Sequence, residues 1–210
     1  MHNRLKAVNW RRGNRRNAHG PLTAVVVATL LMSMACSGRQ LVANGHAQLR
    51  LGPVDLLVFA PHPDDEVIGA GGLLQLALRS GKRVLIVFVT NGDGYPSAAS
   101  ALLLRPIPTL GTSDYVKLAA ARQREAIAAD HILGASTSNL IFLGYPRPAA
   151  LADIQEILKN SLPTQVLVTD PADQHPDHHA TYDLVRDAIA AIGFRGELLT
   201  FVVHSGPGWP

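Results

Sequence analysis

Residues 55–80 read DLLVFAPHPDDEVIGAGGLLQLALRS. The first six, Asp55–Ala60, are almost wholly apolar and rich in strand-forming residues, as a strand covered on both faces should be. From Glu66 to Ser80 the apolar residues Leu73, Leu74, Ala77 and Leu78 fall at helical spacing, and the run stops at Gly81. A strand that passes straight into a helix is the opening of a βαβ unit. Between the two stand His62, Asp64, Asp65 and Glu66, one imidazole and three carboxylates at a single turn.

The same alternation continues along the chain. Arg83–Thr90, Asn139–Leu143, Gln165–Thr169 and Leu198–His204 read as further strands; Asp114–Leu133, Ala150–Ser161 and His178–Ile192 read as helices. Right-handed crossovers between such strands give a three-layer, doubly wound, mostly parallel α/β sheet of Rossmann-like type, with strand order 3-2-1-4-5. In that order the first and fourth strands are neighbours at the switch point, where ligands bind beyond the carboxyl ends. The stretch Asn91–Ser113 contains Gly92, Gly94, Pro96, Pro106, Pro108 and Gly111 and reads as a long loop lining the substrate.

The turn after the fourth strand carries a second cluster: Asp173, His175, Asp177, His178 and His179. An isolated HPDD can be a solvated turn in which Asp64 or Asp65 caps the helix. Two His/Asp clusters facing one crevice call instead for a positive ion that offsets their mutual repulsion. Imidazole and carboxylate donors suit Zn²⁺ with an open position for water, though Fe²⁺, Mn²⁺ and Co²⁺ use the same donors. Gly69, Gly71 and Gly72 lack the GxGxxG spacing of a dinucleotide loop and read as a helix start packed closely on the sheet. Asn91 and Asp93 after the second strand make either an Asx turn or a substrate contact. Arg122 and Glu125 are placed for an ion pair along a helix. His179 is expected to face away from the metal, and His204 to reach the crevice.

The chain has 210 residues, room for one domain with a sizeable core. Its formal charge is +3, yet Arg4, Lys6, Arg11, Arg12, Arg15 and Arg16 alone supply more than that, so the body is acidic. No basic stripe with interleaved aromatics follows that tail, and no nucleic-acid partner is expected. The tail leads into an apolar run ending at Ala35, about as long as a signal-peptide core and short of the ~20 residues of a spanning helix. Residues 1–36 are expected to direct export, residues 37–50 to form a polar linker and residues 51–210 to form the domain. Three fates of the leader stand: lipid attachment at Cys36, which follows Met34-Ala35; cleavage near Ala47; or an uncleaved membrane anchor. Cys36 is the only cysteine, so no intrachain disulfide can form.

These motifs resemble the PIG-L or LmbE-like deacetylases, zinc enzymes that remove acetyl groups from N-acetylated sugars and related amides. The resemblance rests on APHPDDEVIGAGG at 60–72, VTNGDG at 89–94, RQREAIAADHILG at 122–134, IFLGYP at 141–146, HPDHHAT at 175–181 and VVHSGPGWP at 202–210. It implies that His62, Asp65 and His178 hold the metal and that Asp64 is the general base on its water. It further implies that His175, paired with Asp177 and protonated, steadies the oxyanion. Asn91, Asp93, Arg122 and His204 are the expected substrate contacts, and an N-acetylglucosamine-type small molecule the expected partner. Relatives often carry an acidic residue where this chain has Arg147, which hints at an anionic substrate. The chain stops at Pro210, soon after His204, as a compact member or an incomplete reading would. The residue patterns alone also allow a metal-dependent phosphoesterase, or an envelope lipoprotein that binds metal or sugar without turnover. They do not address oligomeric state.

Overall fold

The computed structural model describes residues 39–40, 51–145 and 151–206. The leader with Cys36, most of the linker, and Arg147 therefore lie outside the described residues. The body is built from strands β1 (Leu56–Ala60), β2 (Val84–Thr90), β3 (Leu140–Tyr145), β4 (Gln165–Thr169) and β5 (Glu197–Phe201). Helices α1 (Asp65–Arg79), α2 (Pro96–Leu103), α3 (Thr112–Leu133), α4 (Leu151–Ser161) and α5 (Pro176–Ile192) connect them.

The five strands lie in the order 3-2-1-4-5, and every pairing is parallel. The fold is the doubly wound α/β sheet that the alternation predicts. β1 is central, with Leu57 opposite Leu85 of β2 and Val166 of β4. Arg39 and Gln40, within the expected linker, pair in parallel with Ile141 and Phe142 of β3. An open strand edge offers unpaired backbone groups, and these two residues answer them.

Side chains alternate between the two faces because strand periodicity is two. Leu57, Phe59, Val87 and Val168 pack with Ile154, Ile157 and Val185 of α4 and α5. Leu56, Val58, Ile86 and Phe88 pack with Leu74 of α1 and Ala126 of α3. Both faces being covered explains the unbroken apolar runs. α1 approaches the sheet so closely that a Cβ on Gly69 would lie 2.2 Å from the Phe201 ring, so this glycine is set by packing.

Two elements differ from the expectation. Asn91–Ser113 is not a bare loop, because Pro96 opens α2 and Ile107–Thr109 forms a 3-10 turn. Proline at the first helical position is preorganised and loses no needed donor, and PSAASALL supplies helix formers behind it. β5 ends at Phe201 rather than continuing to His204. The N–H groups of Val203 and His204 turn instead to the Asp173 carboxylate, at 2.8 and 3.0 Å.

Candidate metal centre

The turn from β1 into α1 and the turn from β4 into α5 meet at the carboxyl end of the sheet, as neighbouring strands at the switch point require. Three donor atoms converge there. Asp65 Oδ2 lies 3.0 Å from His62 Nδ1 and 3.1 Å from His178 Nε2. The two ring nitrogens lie 3.4 Å apart. Donors at about 2.0–2.1 Å from a tetrahedral zinc are separated by about 3.3–3.4 Å, so this triangle has the size of one face of such a site.

Each imidazole has a carboxylate behind its other nitrogen. His62 Nε2 is 3.1 Å from Asp177 Oδ2, and His178 Nδ1 is 3.0 Å from Asp173 Oδ2. His178 Nδ1 completes no hydrogen bond among the described residues, but the facing charge still favours the proton on that side. Both proximal nitrogens are thereby left as lone-pair donors toward the shared point. Asp65 takes the backbone N–H of His62 as well, at 2.9 Å. Burial works to raise its pKa, yet the contacts with His178 and His62 outweigh it and hold the carboxyl well below its usual range. For His62, burial works to lower the pKa, and the facing Asp65 and Asp177 carboxylates raise it overall.

His62, His175 and His178 also offer ligand atoms within 4.8 Å of one another, and so do Asp173, His178 and His204. The His62, Asp65 and His178 atoms form a third such group, 3.0–3.4 Å from one another. His175 Nδ1 accepts the Asp177 backbone N–H at 3.2 Å. Asp173 is fully buried and accepts backbone N–H groups from His175, Val203 and His204 at 2.8–3.0 Å. Burial would raise the Asp173 pKa; those three donors, with His178, lower it instead to about 2.

Several expected residues take different partners from those anticipated. The Asp177 carboxylate serves His62 rather than the ring of His175, which meets only the Asp177 backbone. A nitrogen that accepts an N–H carries no proton, and burial and the neighbouring His62 and His178 push the His175 pKa down. Both observations run against the protonated His175 that was expected. Arg122 forms no pair with Glu125 among the described residues; its guanidinium reaches Asp64 Oδ2 at 2.6 Å and the Gly92 carbonyl at 2.8 Å. Asn91 is tied between Gln123 at 2.9 Å and the Gly144 carbonyl at 3.4 Å. Asp93 is half-buried and has no hydrogen bond to the cluster among the described residues. His179 is exposed and turned to the Asp173 carbonyl, away from the donor triangle. His204 does reach the cluster, its ring 4.7 Å from that of His178.

Asp64 precedes α1 with φ 150° and ψ −26° and makes no side-chain cap. Such a conformation costs a non-glycine residue about 1–3 kcal/mol and persists only where its surroundings impose it. Glu66 Oε2 accepts the Asp64 N–H at 3.0 Å. Glu66 is itself buried beside Asp130, and both oxygens of Asp130 lack partners among the described residues. Burial pushes Glu66 up to about 9 and Asp130 up to about 7. The Asp64 carboxyl is also raised, by burial first, with Arg122 acting in the opposite direction. Asp173, Glu66 and Asp130 were visible in the motifs, but a carboxylate that braces reads the same as one that caps until its neighbours are known.

A parallel α/β sheet with a three-donor His/Asp site at its carboxyl end defines a class of proteins, and comparison with known proteins narrows it. The PIG-L family model, described as GlcNAc-PI de-N-acetylase, matches residues 57–189, and the chain belongs to this family. The conserved protein TT1542 of Thermus thermophilus is 27% identical over 73% of this chain and 68% of its own, with a TM-score of 0.55. N,N'-diacetylchitobiose deacetylase of Pyrococcus horikoshii is 28% identical over 65% of this chain and 49% of its own, with a TM-score of 0.54. The 4-carboxy-2-hydroxymuconate hydratase of Pseudomonas putida is 28% identical over 65% of this chain and 56% of its own, also with a TM-score of 0.54. The chain thus spans less than two thirds of the length of the last two.

Proposed function

We propose that the protein is a metal-dependent hydrolase that removes an acetyl group from an N-acetylated sugar or related amide. The observation that carries this reading is the pair of carboxylate-backed imidazoles closing on Asp65 at tetrahedral spacing. The donor set of two nitrogens and one oxygen fits a zinc-type ion held by His62 Nδ1, Asp65 Oδ2 and His178 Nε2; Fe²⁺, Mn²⁺ and Co²⁺ share that chemistry. When bound, the ion supplies a Lewis acid that polarises the amide carbonyl and lowers the pKa of water.

The chain's own residues carry the proton transfers. Asp64 has one oxygen engaged by Arg122, which leaves the other to take a proton from the attacking water. A raised pKa makes its carboxylate the better base near neutrality. The water oxygen bonds to the carbonyl carbon, the C–N bond breaks, and Asp64 returns the proton to the departing amine. His175 offers Nε2–H to the carbonyl oxygen as charge develops on it, where a fixed donor accelerates the step. His204 stands beside His175, its ring 5.3 Å away.

The deacetylase among the structural neighbours favours this reading, while the hydratase warns that one fold hosts several chemistries. The test is a screen of N-acetylated mono- and disaccharides and inositol-linked forms for released acetate, with and without a chelator. About one zinc-type ion per chain and chelator-sensitive acetate release are expected; protein that binds no metal, or that hydrates enoic acids but frees no acetate, contradicts the reading. We further propose that the leader exports the protein to the cell envelope with Cys36 as its lipid attachment point. Metabolic palmitate labelling that persists in Cys36→Ser would rule out that attachment.

A further inference from the structure

We infer that Asp130 is a positioning residue for Asp64, acting through one buried water and Glu66. The inference rests on the reading of Asp64 as the base. α1 and α3 pack side by side: a Cβ on Gly71 would lie 4.0 Å from Leu133, and one on Gly134 would lie 3.8 Å from Leu78. Ala126 of α3 shares a core cluster with Ala70 and Leu74 of α1. Asp130, four residues on and so on the same face of α3, is buried beside Glu66. Neither Asp130 oxygen has a partner among the described residues. Glu66 is as deeply buried; its Oε2 accepts the Asp64 N–H at 3.0 Å, while its Oε1 has no partner among the described residues.

Three carboxyl oxygens between two helices thus call for a donor, and none of the three takes part in the proton transfers. Buried polar atoms are satisfied in folded proteins, and several such atoms around one point are what hold an internal water. Burial pushes Asp130 up to about 7, so near neutrality its carboxyl can donate to that water, and the water to Glu66 Oε1. The link matters because the Asp64 backbone is strained. With φ 150° and no side-chain cap, it keeps its conformation only where its surroundings impose it. A carboxyl that grips the Asp64 N–H by one oxygen pivots about that bond unless its other oxygen is held too. Asp130 supplies that hold from a second helix. An apolar residue at 130 would leave Glu66 Oε1 without a donor and let the turn relax, and misplacing a catalytic group by about 1 Å can cost about 100-fold in rate.

The test uses the full-length, zinc-loaded protein. Asp130→Leu, which fills the space and excludes water, is expected to lower kcat about 10-fold, with KM changed less than about twofold, metal content unchanged and Tm at pH 7 no lower. Asp130→Asn, which still donates to a water, should recover most of that rate. In a Glu66→Gln background Asp130→Leu should add no further loss, because residues acting through one group are not additive. A readout free of turnover is the hydrogen exchange of the Asp64 backbone N–H, followed by NMR. Exchange at least about 10-fold faster in Asp130→Leu, with the amides of β1 and β2 still protected, supports the link. Unchanged Asp64 exchange, or a lowered Tm with the strand amides loosened equally, makes Asp130 merely structural and overturns it. Exchange reads the hold on Asp64 whether or not Asp64 proves to be the base, so the two readings fail separately. Should Asp130→Leu fail to fold, Asp130→Ala carries the same outcomes.

Discussion

The turns after β1 and after β4 contribute to one site in unequal ways. The first supplies two adjacent carboxylates with opposite environments: Asp65 is buried among nitrogen donors and depressed, while Asp64 is half-exposed and raised. The second supplies imidazoles and the carboxylates that back them. Neither turn is complete alone, because Asp177 backs a histidine of the first turn and Asp65 meets a histidine of the second. The proposed metal-holding part of the site is cross-braced between two strand ends, whereas the proposed base is one strained residue.

The sharpest way to break that division is to remove one member of each kind. His178→Ala should lose both bound metal and hydrolysis, whereas Asp64→Asn should keep the metal and lose about 10²- to 10⁴-fold in activity. Metal analysis beside rate measurement separates the two; full activity in Asp64→Asn would assign the base elsewhere. The backing carboxylates give the next largest effect. Outer partners of metal histidines typically matter about 10- to 100-fold in affinity. Asp173→Asn, which also unpicks three backbone bonds, should lie at the upper end with a lowered Tm, and the partly exposed Asp177→Asn at the lower end. Equal metal titrations for the two would erase the asymmetry between the turns.

Proton competition sharpens the same comparison. A protonated His62 cannot ligate, and its pKa is raised above 6.5, so metal affinity should begin to fall above that pH as acid is added. In the metal-free protein the sign is reversed. There the raised pKa contributes stability that is present below 6.5 and is lost as pH rises through the folded value. The smallest effect concerns Asp130, a carboxyl pushed up to about 7 with no partner for either oxygen among the described residues. The unfolded chain ionises it near its ordinary 3.8 while the fold retains the proton, so stability should decline as pH rises from there toward 7. Asp130→Asn should flatten that slope; an unchanged denaturation profile between pH 4 and 8 would remove Asp130 from the account.

The parallel order 3-2-1-4-5 was legible because strands buried on both faces are continuously apolar and their crossovers have one hand. The convergence of His62, Asp65 and His178 was legible because they lie at the ends of strands that this order makes neighbours. Local turns were less so: the proline that reads as a breaker at 96 instead opens α2, and the apolar run after Leu198 leaves the sheet for Asp173.

By itself, then, the sequence determined the layers, the strand order and the donor types that meet at the switch point, because periodicity and chain handedness act through neighbours along the chain. Only the tertiary structure decided which carboxylate backs which imidazole, that His175 Nδ1 accepts the Asp177 backbone N–H, and that Arg122 pairs with Asp64 rather than Glu125. Two of those pairings, Arg122 with Asp64 and His62 with Asp177, join residues 58 and 115 positions apart. Hydrogen-bond geometry selects such partners, and spacing along a chain carries no record of them.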